Sequence, residues 1–431
     1  MKKILALFLL AALVPVSLQA QTQPAANPLA ADVDRLATEI NQQVVAWRRD
    51  FHQHPELGNQ ETRTAKVIAD ELRKLGYEVT TGVAGTGVVG VLKGGRPGPV
   101  VALRSDMDAL PVTEQVELPF KSTAKASWNG QQVGVMHACG HDNHMAIQLG
   151  TATVLARLRD RLPGTVKLIF QPAEEGPGGA EPMIKENVLD NPKVDAIFGL
   201  HVFPFPAGSI SYRPGPLMAS ADNFIIRVKG RQTHGAVPWG GVDPIVIGAQ
   251  IVTSLQTIIS RSVNITEAPA VVTVGRFTGG NRSNIIPDEV ELEGTVRAFD
   301  ENVRKDIHNR IRMIATNISE SAGATATVEF GLGYPVTRND PALTERMAAT
   351  LRRVAGDSNV HLASLTGTAE DFSFFQQKVP GMFIFLGVTP RDQDHTKAPA
   401  NHSPLFFADE SALPVGVRVM TNLALDYLHG K

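Results

Sequence analysis

Residues 136–144 contain side chains that are well suited to binding a metal ion. Cys139 and His141 lie two residues apart, so an extended backbone would point both side chains to the same side, as a pair of metal ligands requires. Cys139 is the single cysteine of the chain, and a cysteine nucleophile paired with a histidine would have the same composition. The segment therefore predicts a metal site or a thiol-based active site, with a purely structural loop before a helix as the alternative.

Two adjacent carboxylates, Glu174 and Glu175, follow a strand predicted for residues 165–170. Open α/β sheets bind their ligands at the carboxyl ends of strands, where this pair would lie. Because adjacent side chains diverge, one carboxylate can bind a metal while the other faces the attacking water. A solvated surface pair is the alternative, and it is the better interpretation of the pair taken alone.

Further histidines and carboxylates are expected near the ends of other strands. His201 follows one predicted strand, and Asp106 and Asp108 follow another. His402 lies near the end of the chain in an Asn-His-Ser-Pro motif. Each of these residues alone could be a cap or a polar residue of the core. Together with the cysteine, histidine and glutamates above, they indicate one site built from Cys, His and acidic side chains.

The elements that must position these side chains alternate between strands and helices in the first half of the chain. Apolar spacing predicts helices at residues 32–51, 61–75 and 145–158, and strands at residues 88–92, 100–103, 165–170 and 196–200. Alternating strands and helices of this kind predict an α/β domain with a layered sheet.

The pattern changes near residue 217. The next segment predicts strand, helix, strand, strand, helix and strand in that order, which fits a small α+β insert. The α/β pattern then returns. We therefore predict a discontinuous catalytic domain of residues 31–217 and 334–431, interrupted by a lid domain of residues 218–333.

The N-terminus has the features of a secretory signal peptide. Lys2 and Lys3 precede an apolar run that is too short to span a membrane, and small and polar residues follow. We expect a signal peptide at residues 1–20, a flexible leader at residues 21–30, and a periplasmic or secreted protein. An uncleaved membrane anchor is the alternative interpretation of the apolar run.

The overall charge excludes some classes of partner. The 431 residues include 41 basic and 43 acidic side chains, for a formal net charge of −2. Because there is no excess of basic residues, we expect no nucleic-acid partner and, once the signal peptide is removed, no membrane partner. The expected partner is a small-molecule substrate that is recognised by a local site.

The motifs taken together resemble the M20 metallopeptidase family. The resemblance is strongest to the branch of hippurate hydrolases, bacterial N-acyl amino acid amidohydrolases and plant auxin-conjugate hydrolases, and it extends from about residue 47 to residue 425. It implies a zinc-peptidase-like catalytic domain with an inserted lid of the dimerisation type. The matching motifs are Phe-His-Gln-His-Pro-Glu-Leu at 51–57, residues 106–111, Cys-Gly-His-Asp at 139–142, Pro-Ala-Glu-Glu-Gly at 172–176, His201, His234, Asn-Ile-Ile-Pro at 284–287, Glu-Asp-Phe at 370–372 and His402.

The resemblance implies a set of metal ligands and a general base. The implied ligands are Cys139, His141, Glu175, His201 and His402. The implied general base is Glu174. A catalytic metal commonly keeps three protein ligands and a water, so five ligands favour two divalent ions per chain. The thiolate either bridges the two ions or binds one of them, and zinc, manganese, nickel and cobalt all suit this ligand mixture.

The resemblance also implies supporting roles. Asp108 would orient a ligand histidine, and Asp106 stands where other branches carry a metal-binding histidine. His234 of the lid would support the substrate carbonyl, and Asn284 and Arg297 would hold the free carboxylate of the substrate. As alternatives, His234 could be an ordinary loop residue and Arg297 an exposed charge on a strand.

The reaction expected from this resemblance is hydrolysis of the amide bond of an N-acyl amino acid, which releases a carboxylic acid and an amino acid. Closure of the lid would bring its residues over the metals. A dipeptidase or carboxypeptidase with the same machinery is the first alternative, and a non-catalytic binding protein on this fold is the second. The family contains monomers and dimers that form through the lid, so a homodimer through the lid domain is a further expectation.

Overall fold

Residues 28–430 of the chain are described by a computed structural model. The signal peptide expected at residues 1–20 and most of the expected leader lie outside these residues. The leader is expected to reach residue 30, but Leu29 is buried and the first helix begins at Ala30. The folded domain therefore begins before the expected boundary. Within the described residues, no helix is both long enough and apolar enough to cross a membrane.

The segment before the lid alternates between helices and strands. In chain order, its elements are α1 (Ala30–Glu39), α2 (Asn41–Gln53), α3 (Thr62–Lys74), β1 (Glu78–Val83), β2 (Gly87–Lys93), β3 (Arg96–Asp106), β4 (Lys125–Trp128), β5 (Gln131–Gly134), α4 (His141–Arg157), β6 (Pro163–Gln171), α5 (Ala180–Lys185), β7 (Ala196–Pro206), β8 (Ile210–Tyr212) and β9 (Gly215–Met218).

The lid and the returning part of the catalytic domain follow. The lid elements are β10 (Asp222–Lys229), β11 (Thr233–His234), α6 (Pro244–Thr257), β12 (Ala270–Gly279), β13 (Ile285–Ile286), β14 (Glu289–Ala298), α7 (Glu301–Ser321) and β15 (Thr325–Leu332). The remaining elements are β16 (Thr337–Asn339), α8 (Pro341–Ala355), β17 (Val360–Leu362), α9 (Phe372–Gln376), β18 (Gly381–Thr389) and α10 (Leu413–Gly430).

One large sheet forms the centre of the catalytic domain. Its strands lie in the order β1-β2-β6-β3-β7-β18-β8-β17. The neighbours β6, β3, β7 and β18 run parallel, and antiparallel pairs extend the sheet on both sides. Strands β6 and β18 are buried along almost their whole length, as expected for parallel strands that are covered on both faces. The carboxyl ends of parallel strands lie at the same edge of a sheet, so the segments that follow β3, β6 and β7 lie close together there.

Helix α4 fixes one side of that edge. Every residue from His141 to Leu155 is buried, and the helix packs against α2, α10 and β3. A helix that is enclosed on all sides has no polar face, which explains the weak amphipathic pattern of its sequence. A side chain at its first residue is therefore attached to one of the most enclosed elements of the domain.

The lid has a core of its own. Its four-stranded antiparallel sheet has the order β12-β14-β10-β15, and helices α6 and α7 pack against it. Side chains along β14 alternate between buried and half-buried, which is the pattern of a sheet with one covered face. The predicted architecture, an α/β catalytic domain interrupted by an α+β lid, is confirmed.

Two elements differ from their predicted bounds. The single helix predicted for residues 32–51 is two helices that meet at Ile40. Because Ile40 is itself buried, the apolar spacing continues across the break and does not reveal it. Strand β7 continues to Pro206, so His201 lies inside the strand and does not follow it. The extension is held by pairing with β18, in which His201 lies opposite Phe385.

Candidate metal centre and active site

Gly140 forms the turn between the first two candidate ligands. Its backbone is left-handed, with φ +93°, and α4 begins at the next residue. The extended conformation expected for Cys139 to His141 is therefore wrong. A Cβ at position 140 would lie 2.4 Å from Cγ2 of Val202, so glycine satisfies both the backbone and the available space. The turn still directs both side chains into one site, because Cys139, His141 and His201 each place a ligand atom within 4.8 Å of the others.

Hydrogen bonds determine which nitrogen of each buried histidine faces this site. Nδ1–H of His141 donates to the main-chain oxygen of Asp108 at 2.8 Å, and Nδ1–H of His201 donates to that of Val202 at 2.7 Å. Since a neutral imidazole has one donor nitrogen, Nε2 of each residue keeps its lone pair. Nε2 of His201 lies 3.3 Å from Sγ of Cys139, and Nε2 of His141 has no hydrogen-bond partner among the described residues. Both histidines can bind a cation through Nε2.

Glu175 and His402 complete the set from two loops. Oε1 of Glu175 lies 3.0 Å from Nε2 of His402 and 3.8 Å from Nε2 of His141, yet it is buried and forms no hydrogen bond of acceptable geometry within residues 28–430. His402 has a left-handed backbone, with φ +71°, and its N–H donates to the oxygen of Ala138 at 2.8 Å. Such strained backbone at a non-glycine residue is common at functional sites. The unpartnered ligand atoms of Glu175 and His141 fit a bound cation.

The electrostatics around this set also fit a cation. Burial, with Glu175 and Glu174, raises the pKa of the Cys139 thiol well above its usual range. Burial lowers the pKa of His141, but Asp106 and the neighbouring carboxylates outweigh it and raise this pKa to about 10. Without a cation, these shifts favour a neutral thiol at Cys139 and a protonated imidazole at His141, whose positive charge offsets the surrounding carboxylates. A divalent ion can replace these protons, which links metal binding to pH.

Asp108 lies between two of the candidate ligands. Its main-chain oxygen accepts the hydrogen bond from Nδ1–H of His141, and its Oδ1 lies 3.3 Å from the same nitrogen. Its Oδ2 accepts a hydrogen bond from the N–H of Glu175 at 2.9 Å. Asp108 can therefore orient a ligand on α4 and a ligand on the loop after β6 at the same time.

Asp106 is occupied by other side chains. Its Oδ1 accepts a hydrogen bond from Nδ1 of His144 at 2.5 Å, and its Oδ2 accepts one from Arg104 at 2.8 Å. Nε2 of His144 accepts a hydrogen bond from the N–H of Val202 at 2.8 Å. Because both nitrogens of His144 and both oxygens of Asp106 have partners, this pair supports the neighbouring His201, whose ring centre lies 4.6 Å from that of His144.

Glu174 lies beside the ligand set, with its carboxylate within 4.8 Å of ligand atoms of His141 and Glu175. Its carboxylate lies close to Glu370 and Asp371, which both contact the guanidinium of Arg104, at 2.9 and 2.8 Å. Burial and these carboxylates, together with Glu175, raise the pKa of Glu174 well above its usual range. A carboxyl group of this kind is suited to taking up and releasing a proton during a reaction. Sequence reasoning missed Arg104, because its partner Asp371 lies far along the chain.

A cavity of about 440 Å³ opens onto these groups. Its lining includes six of the residues predicted for the site: Cys139, Glu174, Glu175, His201, His402 and Arg297. Glu370, from the Glu-Asp-Phe motif, also lines it, as do residues that sequence reasoning did not single out, among them Phe203, Met218, Asn223, Tyr334 and Thr368. These come from both domains and from the chain between them. The position of Tyr334 at the predicted end of the lid is the one sequence signal that could have indicated a role at the site.

His234 and Asn284 lie elsewhere on the lid. They are close to each other, because His234 pairs with Ile285 in the small sheet of β11 and β13 and Gly235 N–H donates to the oxygen of Asn284 at 2.8 Å. Both side chains are exposed, and neither lines the cavity within the described residues of one chain. The structure thus brings Arg297 to the predicted site and leaves His234 and Asn284 outside it.

Comparisons with known proteins agree with this geometry. The family described as "Peptidase family M20/M25/M40" matches residues 102–426. Thermostable carboxypeptidase 2 of Saccharolobus solfataricus is 42% identical over 394 residues, which cover 90% of this chain and 96% of that protein. The N-acyl-L-amino acid amidohydrolase of Geobacillus stearothermophilus is 43% identical over 312 residues, which cover 72% and 81% of the two chains.

A solved structure from Bacillus subtilis, described as a dinuclear metal binding peptidase from the M20 family, has the same fold. It superposes with a TM-score of 0.77 at 36% identity and covers 91% of this chain and 100% of that one. The matched family segment contains every candidate metal ligand. The chain belongs to the peptidase family M20/M25/M40.

Proposed function

We propose that this protein is a metal-dependent amidohydrolase that hydrolyses the amide bond of N-acyl amino acids or related carboxylate-bearing amides. The observation that carries the proposal is the convergence of five candidate ligands of three residue types, of which all but His141 line one cavity beside a further carboxyl group, that of Glu174. The relative from Geobacillus stearothermophilus supports it, because that protein is named as an N-acyl-L-amino acid amidohydrolase.

The chain's own residues divide the chemistry between them. When bound, divalent ions would polarise the substrate carbonyl and lower the pKa of the attacking water. Glu174, whose carboxylate lies beside the ligand set, would accept the proton of that water and deliver it to the leaving nitrogen. Burial of Cys139, His141 and His201 keeps bulk water away from these three side chains and strengthens each electrostatic contact made there.

Arg297 supports a substrate with a free carboxylate. It lines the cavity from β14, and within residues 28–430 its guanidinium forms no ion pair, only a hydrogen bond from Nη1 to the oxygen of Val296. A guanidinium that is left without an acid at the wall of a cavity can form two parallel hydrogen bonds with a carboxylate. An amino acid released from an N-acyl substrate carries this group.

We propose two divalent ions per chain, of zinc, manganese, nickel or cobalt. Two overlapping ligand groups support this number: Cys139 with His141 and His201, and Cys139 with Glu175 and His402. Both groups contain Cys139, so its thiolate would be a ligand available to either ion. The related structure that is described as a dinuclear metal binding peptidase supports the same number.

A carboxypeptidase or dipeptidase activity is the second candidate function. It is favoured by the relative from Saccharolobus solfataricus, which is named as a carboxypeptidase. The same cavity and the same Arg297 suit the C-terminal carboxylate of a peptide. A benzoyl or acetyl amino acid and an unblocked dipeptide that share the same C-terminal residue would distinguish the two activities.

The experiment that tests the function is hydrolysis of a panel of N-acyl amino acids and dipeptides, before and after chelation, with metal content measured on the same sample. We expect amide hydrolysis that chelation abolishes and metal restores, with about two ions per chain. Activity that survives chelation and is blocked by a thiol reagent would instead show that Cys139 is a nucleophile. Absence of both turnover and metal would favour a binding protein.

We also propose a homodimer that forms through the lid. The exposed His234 and Asn284 support it, since they lie outside the cavity of their own chain, and Trp239 beside them is 80% exposed. Sedimentation would give the oligomeric state. Mixing inactive Glu174→Gln chains with inactive His234→Ala chains tests whether His234 acts in the cavity of the partner subunit. If it does, half of the dimers are mixed after random exchange of subunits and each has one intact site, so about a quarter of the wild-type activity returns. No recovery in a demonstrated dimer would mean that His234 has no role across the interface.

Export is a further proposal. It is supported by the basic and apolar N-terminal sequence, followed by small and polar residues, as in a cleaved signal peptide. The mass of the protein recovered from the periplasm or medium tests it. A mature N-terminus near residue 21 is expected, and a full-length chain retained in the cytoplasm would exclude export.

A further inference from the structure

Tyr334 connects the lid to the loop that carries Glu174. It is the second residue after β15, where the chain leaves the lid, and its ring lines the cavity. Its hydroxyl donates a hydrogen bond to the main-chain oxygen of Glu174 at 2.5 Å. The ring also packs edge-on against Phe374 of the catalytic domain, with ring centres 6.2 Å apart. The hydroxyl is therefore held at a defined point above the loop.

The main chain of Tyr334 is fixed to the lid. Its oxygen accepts a hydrogen bond from the N–H of Ala221 at 2.9 Å, which joins the two segments that enter and leave the lid. The preceding Gly333 donates its N–H to Asp222 at 3.1 Å and accepts from Arg304 at 3.3 Å. Asp222 and Arg304 form a buried pair, with a shortest distance of 2.6 Å. Movement of the lid must therefore move the backbone of Tyr334.

The other end of the connection is a strained loop. Ala173, directly before Glu174, has a left-handed backbone with φ +55°, although it is not glycine. The N–H groups on either side of Glu174 are held by the carboxylates of Glu61 and Asp108, each at 2.9 Å. The contact from Tyr334 holds the carbonyl of Glu174 itself. Within residues 28–430, loss of that contact would leave two main-chain anchors beside Glu174 and none on its own main chain.

We propose that Tyr334 is a positioning residue that couples the orientation of the lid to the orientation of Glu174. The inference rests on the proposed function, in which Glu174 is the general base. Tyr334 acts through the backbone of Glu174, because its hydroxyl is already donated to that carbonyl. A lid in the orientation seen here thus holds the base in place, and a displaced lid releases it.

The chain offers a matched pair of variants. Tyr334→Phe removes the hydroxyl and keeps the ring against Phe374. Tyr77→Phe is the control, because the Tyr77 hydroxyl also donates to a main-chain oxygen, that of Ala152 at 3.0 Å, away from the cavity. A third protein carries 4-aminophenylalanine at position 334, which restores a donor at the same ring position.

The first readout is steady-state kinetics on an N-acyl amino acid that the wild-type protein hydrolyses. Tyr334→Phe is expected to lower kcat about tenfold or more with little change in KM, because a small misplacement of a catalytic group costs rate. Tyr77→Phe should leave kcat and KM unchanged, and 4-aminophenylalanine should recover most of the lost kcat. An unchanged kcat in Tyr334→Phe, or a loss confined to KM, would overturn the proposal.

The second readout does not depend on turnover. Amide hydrogen exchange of residues 172–178 should be faster in Tyr334→Phe than in the wild type and the Tyr77→Phe control, with metal content unchanged. A lowered kcat with unchanged exchange would mean that the hydroxyl contacts the substrate directly, which also overturns the proposal. An inactive but metal-loaded wild type would instead refute the proposed function, and the exchange result would then stand alone as a test of the contact.

Discussion

At the scale of the residue, the hydrogen-bond partner of one ring nitrogen decides whether a histidine of the site can bind a cation. The Nδ1 bonds of His141 and His201 leave their Nε2 atoms for a cation, whereas His144, three residues after His141, has both nitrogens occupied. Three buried histidines of one cluster therefore have two different roles, and the distinction comes from hydrogen bonds that their spacing in the sequence does not encode.

Replacing the base should separate catalysis from metal binding. Glu174→Gln keeps the shape of the side chain but cannot accept a proton from water, so kcat should fall by about 10²–10⁴-fold. Metal content should stay at the wild-type level, because Glu174 is not among the five candidate ligands. The matched variant Glu175→Gln changes the neighbouring residue in the same way and should lower metal content. Retained turnover in Glu174→Gln would remove it as the base.

Replacing Arg297 tests recognition of the substrate carboxylate. Arg297→Ala removes the forked donor from the cavity, so kcat/KM for an N-acyl amino acid should fall about 10- to 100-fold, as for a lost hydrogen bond between charged groups. The same N-acyl amino acid with its carboxylate converted to an amide lacks the partner charge. Wild type and variant should hydrolyse that amide at similar rates. Equal losses on both substrates would mean that Arg297 has a structural role.

The sequence indicates some residues of the site and not others. The Cys-Gly-His spacing, the Glu174–Glu175 pair and the family resemblance indicate side chains that the fold does bring together. The sequence does not indicate Arg104, whose partners come from three separate segments, because such contacts depend on the register of distant strands. It also cannot show that His234 lies outside the cavity of its own chain, since that depends on the orientation of the lid.

At the scale of the element, the turn before α4 limits what the site tolerates. Gly140→Ala would strain a left-handed backbone and place a Cβ against Val202, a cost of about 1–3 kcal/mol. Relief of the clash would move Cys139 or His141, so metal affinity should fall. Gly130→Ala is the matched control: Gly130 is also left-handed, with φ +76°, but has open space around it. Equal metal affinity in both variants would show that the turn does not position the ligands.

A buried ion pair between Asp222 and Arg304 lies where the chain enters the lid, and its contribution to the stability of the fold depends on pH. Burial raises the pKa of Asp222, but Arg304 and His308 lower it by more, so that the resulting pKa is about 2. Because this value lies below the usual 3.8, ionised Asp222 stabilises the fold above about pH 4, and the contribution is lost as the pH falls toward 2.

Asp222→Asn should therefore lower the free energy of unfolding by about 2 kcal/mol at pH 7, the value of a hydrogen bond between charged groups. The difference from wild type should shrink as the pH falls from about 4 toward 2, as measured by chemical denaturation. Asp50→Asn is the control, since Asp50 binds Arg63 at 2.7 Å but both side chains are more than a third exposed. A difference that does not change with pH would contradict the assigned role of Asp222.

The elements themselves are largely predictable from periodicity. The order of strands and helices in the lid follows from alternating and helical apolar patterns, because each lid element has one buried face. Patterning fails where burial is continuous: Ile40 hides the break between α1 and α2, and the apolar residues after His201 do not show where β7 ends. Strand pairing with β18 decides that end, and no local pattern records it.

At the scale of the whole molecule, metal should hold together elements from both parts of the catalytic domain. The candidate ligands lie on the turn before α4, on the first residue of α4, on the loop after β6, on strand β7 and on the loop before α10. A cation that binds the folded state alone stabilises it by mass action, about 4 kcal/mol at a thousandfold excess over Kd.

Removal of metal should therefore lower Tm by roughly 5–15 °C, and readdition should restore it. Differential scanning calorimetry with and without a chelator measures the shift. The variant Glu175→Gln, which lacks a ligand, should show a smaller shift under the same conditions. Identical Tm values for the wild-type protein with and without chelator would show that no metal joins these segments.

The interrupted catalytic domain has a consequence for how the molecule is made. Strand β18 lies between β7 and β8 in the sheet. In the sequence, however, β7 and β8 come before the lid and β18 comes after it. Whether the chain emerges from a ribosome or from a translocation channel, β7 must wait for its neighbour, on the order of ten seconds at ordinary rates of synthesis. During that interval β7 presents an open apolar edge, which is the kind of surface that chaperones bind and that aggregates. A chain that stops within the lid keeps four of the five candidate ligand side chains and lacks His402, so only a chain made past both the lid and β18 can carry the complete set.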